Sequence, residues 1–269
     1  MPEPSPSNAT RSGGEPRAEV LPGAEPLSVD GGPVGVLVVH GITGNPQSIR
    51  PLAQAFVDAG FTVEMPLLPG HGTSLDDMLT IGWDDWSSAA EAAYEELAAR
   101  CERVVAAGLS MGGTISLWLA ARHPSIAGIV LVNPACPPPG SSGEIVAGLE
   151  ALADSGVDAF EAIGSDIARE GVTELAYEQT PVRPLLSLLH HAEELAGRLD
   201  QVQCPVLLMN APQDHVVDPA NSEHVAASVS GPVERVTLER SYHVATLDHD
   251  AELIQERAVE FAGRVTAAG

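Results

Sequence analysis

From Val34 to His40 the run VGVLVVH is continuously apolar and β-branched, the signature of a strand buried on both faces of a sheet. The next segment changes period. In PQSIRPLAQAFVDAG, Ile49, Leu52, Ala53, Phe56 and Val57 fall at i, i+3, i+4, i+7 and i+8, which predicts an amphipathic helix stopped by Gly60. FTVEM predicts a short strand, and the stripe Trp86, Ala90, Ala93 and Leu97 predicts a helix over Asp84 to Arg100. RVVAAGL, Met111 to His123 and IAGIVLVN continue the alternation as strand, helix and strand. CPVLLMN and VERVTL predict two later strands, and Ile254, Ala258, Phe261 and Val265 a final helix.

This rhythm predicts an α/β fold with an open, mostly parallel sheet and helices on both faces. It is interrupted from Pro137 to Arg183, where proline punctuation gives way to acidic helical pieces without a buried-strand pattern. The expected organisation is a core of residues 21–136 and 184–269, a cap inserted at 137–183, and a flexible tail at 1–20 rich in Pro, Ser, Gly and Glu.

Charge narrows the chemistry. The 13 basic residues are all arginine and face 37 acidic ones, a formal charge of -24 that repels nucleic acid and anionic membranes. Without lysine the chain has no Schiff-base amine and no P-loop lysine. No apolar run is long enough to span a bilayer, so no stable membrane insertion is expected. Three scattered cysteines read as buried thiols of a reducing, cytoplasmic setting, and no cofactor or metal site is indicated by His or Cys spacing.

The stretch GLSMG, Gly108 to Gly112, lies where a strand passes into a helix. A serine on such a sharp turn exposes its hydroxyl above the sheet, and the turn leaves no room for side chains at the two glycine positions. A serine nucleophile needs a base and an acid that orients it, here in the chain order serine, acid, histidine. Asp214 follows the strand CPVLLMN and His243 follows VERVTL, both on the edge where Ser110 emerges. The expected catalytic set is Ser110, Asp214 and His243. Asp218 reads instead as a helix cap, and His215, His224 and His249 as solvated or packed side chains. The backbone N–H groups of Met111 and Ile42 are the expected oxyanion donors, while His40 reads as structural.

The runs HGITGNPQS, GHGT, GLSMGG, IGSDIAREGVTELAY with TPV after it, DHVVDP and SYHVATLD together resemble the bacterial monoacylglycerol lipases and related carboxylesterases of the α/β-hydrolase superfamily, from about Leu21 to the final helix. The resemblance implies the α/β-hydrolase fold with a small helical cap. It also implies cleavage of monoacylglycerols, small lipid-like esters, through an acyl-enzyme. By the same resemblance Ile163 shapes an acyl channel and Glu174 coordinates the glycerol head group, although on residues alone Glu174 reads as a solvated helical side chain. Ile42 departs from the phenylalanine common in relatives, which bears on the acyl pocket. A general carboxylesterase for short to medium esters is the alternative, and neither a peptidase nor a non-catalytic ligand binder of the same fold is excluded by the sequence. The oligomeric state is left open between monomer and homodimer.

Overall fold

A computed structural model describes residues 19–161 and 163–267. The expected tail therefore lies, apart from its last two residues, outside the described region. In chain order the elements are β1 (Leu27–Val29), β2 (Val34–Val39), α1 (Pro46–Asp58), β3 (Thr62–Met65), α2 (Leu75–Met78), α3 (Trp83–Arg100), β4 (Arg103–Leu109), α4 (Met111–Arg122) and β5 (Gly128–Val132). They continue with α5 (Gly143–Asp154), β6 (Ala159–Glu161), β7 (Gln179–Pro181), α6 (Val182–Ala196), β8 (Val206–Asn210), α7 (Ala220–Ser228), β9 (Val233–Thr237) and α8 (Ala251–Thr266).

Seven strands form one sheet in the order β1-β3-β2-β4-β5-β8-β9. Only β1 runs antiparallel. Because side chains alternate across a strand, the continuous apolar runs feed two cores at once. Leu37, Val39, Ile129, Leu131 and Leu208 point into one, with Trp86 and Leu97 of α3 and Ile115 and Leu119 of α4. Val36, Val38, Val130, Val132 and Leu207 point into the other, against Ile49 and Phe56 of α1 and Ile254 and Phe261 of α8. Each fully buried side chain of this size stabilises the fold by about 1.5–3 kcal/mol.

The parallel register aligns the carboxyl ends of the strands. Val39 pairs with Gly108, Leu109 with Val132, Val132 with Met209, and Asn210 with Thr237. The connections leaving these ends carry most of the predicted site residues, at the edge where open α/β sheets bind ligands.

Between β5 and β8 the chain leaves the sheet for α5, the two-stranded ribbon β6–β7 and α6. Leu149 and Ala153 of α5 pack with Val182, Leu185 and Leu189 in a small separate cluster, whereas Leu188 and Leu195 on the other side of α6 join the main core. The ribbon was not expected, since three-residue strands are too short to show a period of two. The stretch from Ile163 to Glu178, expected to hold helical pieces, forms neither helix nor strand. No helix among the described residues is long and apolar enough to cross a membrane.

Candidate active site

Ser110 stands between β4 and α4 at φ 55°, ψ -118°. A non-glycine residue at positive φ costs roughly 1–3 kcal/mol and is tolerated where the surroundings impose it. Among the described residues the three such positions, Thr43, Ser110 and Asn133, all follow sheet strands that meet at this edge. The turn is as tight as predicted: a Cβ at Gly108 would come within 2.1 Å of the Gly112 backbone, and one at Gly112 within 2.0 Å of the Val39 carbonyl oxygen. A Cβ at Gly41 would lie 3.3 Å from that of Ser110, so the facing loop also runs close to the nucleophile.

His243 Nδ1 lies 2.7 Å from Asp214 Oδ2. The other carboxylate oxygen of Asp214 accepts from the backbone N–H groups of Val216 and Val217, each at 2.8 Å. This carboxylate can only accept from the imidazole, so Nδ1 carries a hydrogen, and in the neutral ring Nε2 is the nitrogen left with a lone pair. Ser110 and His243 are buried, with 5% and 7% exposure.

Asn133 joins the loops. Its Nδ2 donates to the His243 carbonyl at 2.8 Å and its Oδ1 accepts from Ala211 N–H at 2.8 Å, while Ala135 N–H donates to the Ser110 carbonyl at 3.3 Å. Sequence reasoning passed over this residue, which looked like the last position of a strand.

Met111 is the first residue of α4, so its N–H belongs to the unsatisfied first turn of a helix. Neither it nor Ile42 N–H donates to a protein acceptor among the described residues. The Ile42 side chain packs partly buried on the main core. His40 is buried, with Nδ1 3.0 Å from the Gly41 carbonyl and Nε2 accepting Leu68 N–H at 3.2 Å. Burial pushes its pKa down to about 4, which leaves a neutral ring fully occupied by the loop. His71 packs edge-on against it, and Asp218 caps Ala220 N–H at the start of α7. Burial pushes the Cys136 thiol up to about 12 and Cys204 to about 11, so neither is a thiolate at neutral pH.

The segment Ser165–Tyr177 crosses the site as a strap. At one end Asp166 accepts His243 N–H, and Asp248 accepts the N–H groups of Ala168 and Arg169. At the other, Tyr177 N–H donates to the Thr43 carbonyl, and Gln47 accepts Leu175 N–H. Glu174 lies on this strap. Its Oε1 would stand 2.5 Å from a Cβ at Gly44, and Ser48 and His243 are the neighbours that favour its charged form. Burial raises its carboxyl to about 7 against the opposing pull of His243 and Ser48. Ile163 stands apart, 66% exposed and in none of the buried apolar clusters of the described residues. Asp166 and Asp248, like Asn133, were not singled out from sequence.

Residues 36–256 match the model of the alpha/beta hydrolase family. The chain belongs to this family. This α/β-hydrolase is 44% identical over 243 residues, 90% of its own length and 95% of the relative's, to a thermostable monoacylglycerol lipase from Bacillus sp. (strain H-257). It is 29% identical to a carboxylesterase of Bacillus subtilis (strain 168), covering 88% of this chain and 95% of the relative. Among solved structures, one described under the lipolytic enzymes LipS and LipT, of metagenomic origin, superposes with a TM-score of 0.86 at 42% identity, covering 91% of this chain and all of the other. The fold is also shared with a Paleococcus ferrophilus monoacylglycerol lipase, at a TM-score of 0.73 and 19% identity over 90% of this chain and all of that one.

Proposed function

We propose that this ester hydrolase cleaves monoacylglycerols to glycerol and free fatty acid through an acyl-enzyme on Ser110. The observation that carries the reading is the strained Ser110 turn on the same sheet edge as the His243–Asp214 pair.

Ser110 Oγ attacks the ester carbonyl while His243 Nε2 takes its proton, and Asp214 holds the ring in the tautomer that can do so. The carbonyl oxygen, now an oxyanion, accepts from the N–H groups of Ile42 and Met111. Collapse of the tetrahedral intermediate breaks the ester C–O bond, and His243 returns the proton to the departing glycerol oxygen. Water then attacks the acyl-enzyme by the same route, releasing the fatty acid and restoring Ser110.

The insertion between β5 and β8 serves as the cap, and Glu174 is the group on it that meets the substrate's free hydroxyls. A carboxylate accepts hydrogen bonds from a glycerol head group but has nothing to accept from a simple alkyl ester. Ile163, exposed on the cap, meets the acyl chain at the entrance. The three free thiols suit a reducing compartment, so the enzyme acts in the cytoplasm.

The test is glycerol release from a medium-chain monoacylglycerol, measured beside hydrolysis of an alkyl ester of the same acid, with Ser110→Ala as the blank. A preference for the glyceride that vanishes in the variant supports the proposal. Equal rates on the two esters would leave a general carboxylesterase, and turnover without Ser110 would overturn the mechanism.

A further inference from the structure

We propose that Asp166, a strap residue outside the triad, is a positioning residue that sets His243 and Asp214 relative to one another. Its carboxylate is buried, and each oxygen is spoken for. Oδ2 accepts His243 N–H at 3.0 Å and His215 N–H at 3.1 Å, and Oδ1 lies 2.8 Å from His215 Nδ1. The Asp166 carbonyl also accepts Val244 N–H at 3.1 Å.

His215 directly follows Asp214, so one side chain grips the backbone of both the base loop and the acid loop. With the 2.7 Å contact between His243 and Asp214 the connections close into a ring running Asp166, His243, Asp214, His215 and back to Asp166. These loops leave β9 and β8 at the rim of the sheet, and neither has regular structure of its own at these residues. Their relative placement depends on such cross-links. Asp248 reinforces the arrangement by accepting Tyr242 N–H at 2.9 Å together with two strap N–H groups, but it grips only the base loop.

An imidazole displaced by about 1 Å can lose on the order of a hundredfold in rate. Loss of the Asp166 acceptors therefore lowers kcat rather than raising KM, because the base acts in the transition state and not in substrate binding. The groups facing the Asp166 carboxylate are His215 and the His243 backbone, and a carboxamide can replace it. In Asp166→Asn the amide oxygen accepts both N–H groups and the NH2 donates to His215 Nδ1 in its other tautomer. Asp166→Glu keeps the charge but displaces both acceptors by a methylene.

The inference rests on His243 being the base, so His243→Ala and Ser110→Ala are run in parallel; if either keeps wild-type turnover, the mechanism fails before Asp166 is at issue. With a soluble p-nitrophenyl ester, well below each variant's melting temperature, Asp166→Asn should keep kcat within about threefold while Asp166→Glu and Asp166→Ala lose roughly 10- to 100-fold with KM within about twofold. Phosphonylation of Ser110 by a fluorophosphonate, normalised to folded protein, should follow the same order. Equal kcat in the Asn and Glu variants, or an Asn variant slower than Glu, would overturn the proposal, as would variants that lower melting temperature alone.

Discussion

Asn133 donates through Nδ2 to the His243 carbonyl at 2.8 Å while its Oδ1 accepts Ala211 N–H, also at 2.8 Å. One amide thus ties the end of β5 to the base loop and to the chain leaving β8. Asn133→Ala leaves both backbone groups without a partner, and a buried unmade bond costs about 1–3 kcal/mol. Alanine is also poorly suited to the φ of 44° at this position. Chemical denaturation should show a loss on the order of 2–4 kcal/mol, with kcat reduced and KM nearly unchanged. Asn133→Gly, which relieves the backbone but not the lost bonds, should recover part of the stability and none of the rate.

Asp214→Asn tests the tautomer. The amide oxygen would keep the Val216 and Val217 N–H groups, so its NH2 would face His243 Nδ1 and force the ring hydrogen onto Nε2. That ring cannot accept the Ser110 proton. By analogy with the serine proteases, kcat should fall by roughly 10⁴ without loss of fold. A fall of less than tenfold would indicate that Asp214 does not orient the base.

Glu174 predicts a pH-dependent selectivity. With its carboxyl raised to about 7, the group is largely protonated below neutrality and becomes an acceptor-only carboxylate above it. The ratio of kcat/KM for a monoacylglycerol to that for a matched alkyl ester should rise as pH passes from 6 to 8, and Glu174→Gln should flatten it. A ratio that is the same in both proteins across this range would remove Glu174 from the head-group site. Stability moves the other way. The folded carboxyl holds its proton to higher pH than the unfolded one, so the contribution of Glu174 to stability declines between about pH 4.5 and 7 and levels off above. The advantage of Glu174→Gln in melting temperature should be absent at pH 4.5 and reach its plateau above pH 7.5.

What the sequence disclosed follows the range of the signals. Ser110 was legible because strand, glycines and helix lie within a few residues and their steric requirement is local. That Asp214 and His243 share an edge was legible because each follows a strand, strongly apolar in β8 and half-buried in β9, and parallel strands put their carboxyl ends together. Asp166 was not, since it sits in a stretch without periodicity and acquires its role only where the strap meets two loops 49 and 77 residues away along the chain. β1 escaped for a related reason: LSV is a short edge strand whose partner, β3, gives it an address that three residues cannot encode.

Tyr177 offers a test of the strap independent of the triad. Its hydroxyl donates to the Gly70 carbonyl at 2.8 Å and accepts Thr73 N–H at 3.2 Å, while its own N–H donates to the Thr43 carbonyl in the loop that carries Ile42. Tyr177→Phe removes only the hydroxyl contacts and keeps the ring and the backbone bond. The loss should be about 1–2 kcal/mol, or roughly 2–8 °C in melting temperature for a chain of this size. Because Thr43 remains held, acylation of Ser110 by a small p-nitrophenyl ester should change less than twofold. Tyr177→Pro deletes the N–H as well, and should slow acylation by at least tenfold if that bond positions the Ile42 donor. If the two variants slow acylation equally, the oxyanion loop is held by the phenol side and the backbone bond contributes nothing to the rate.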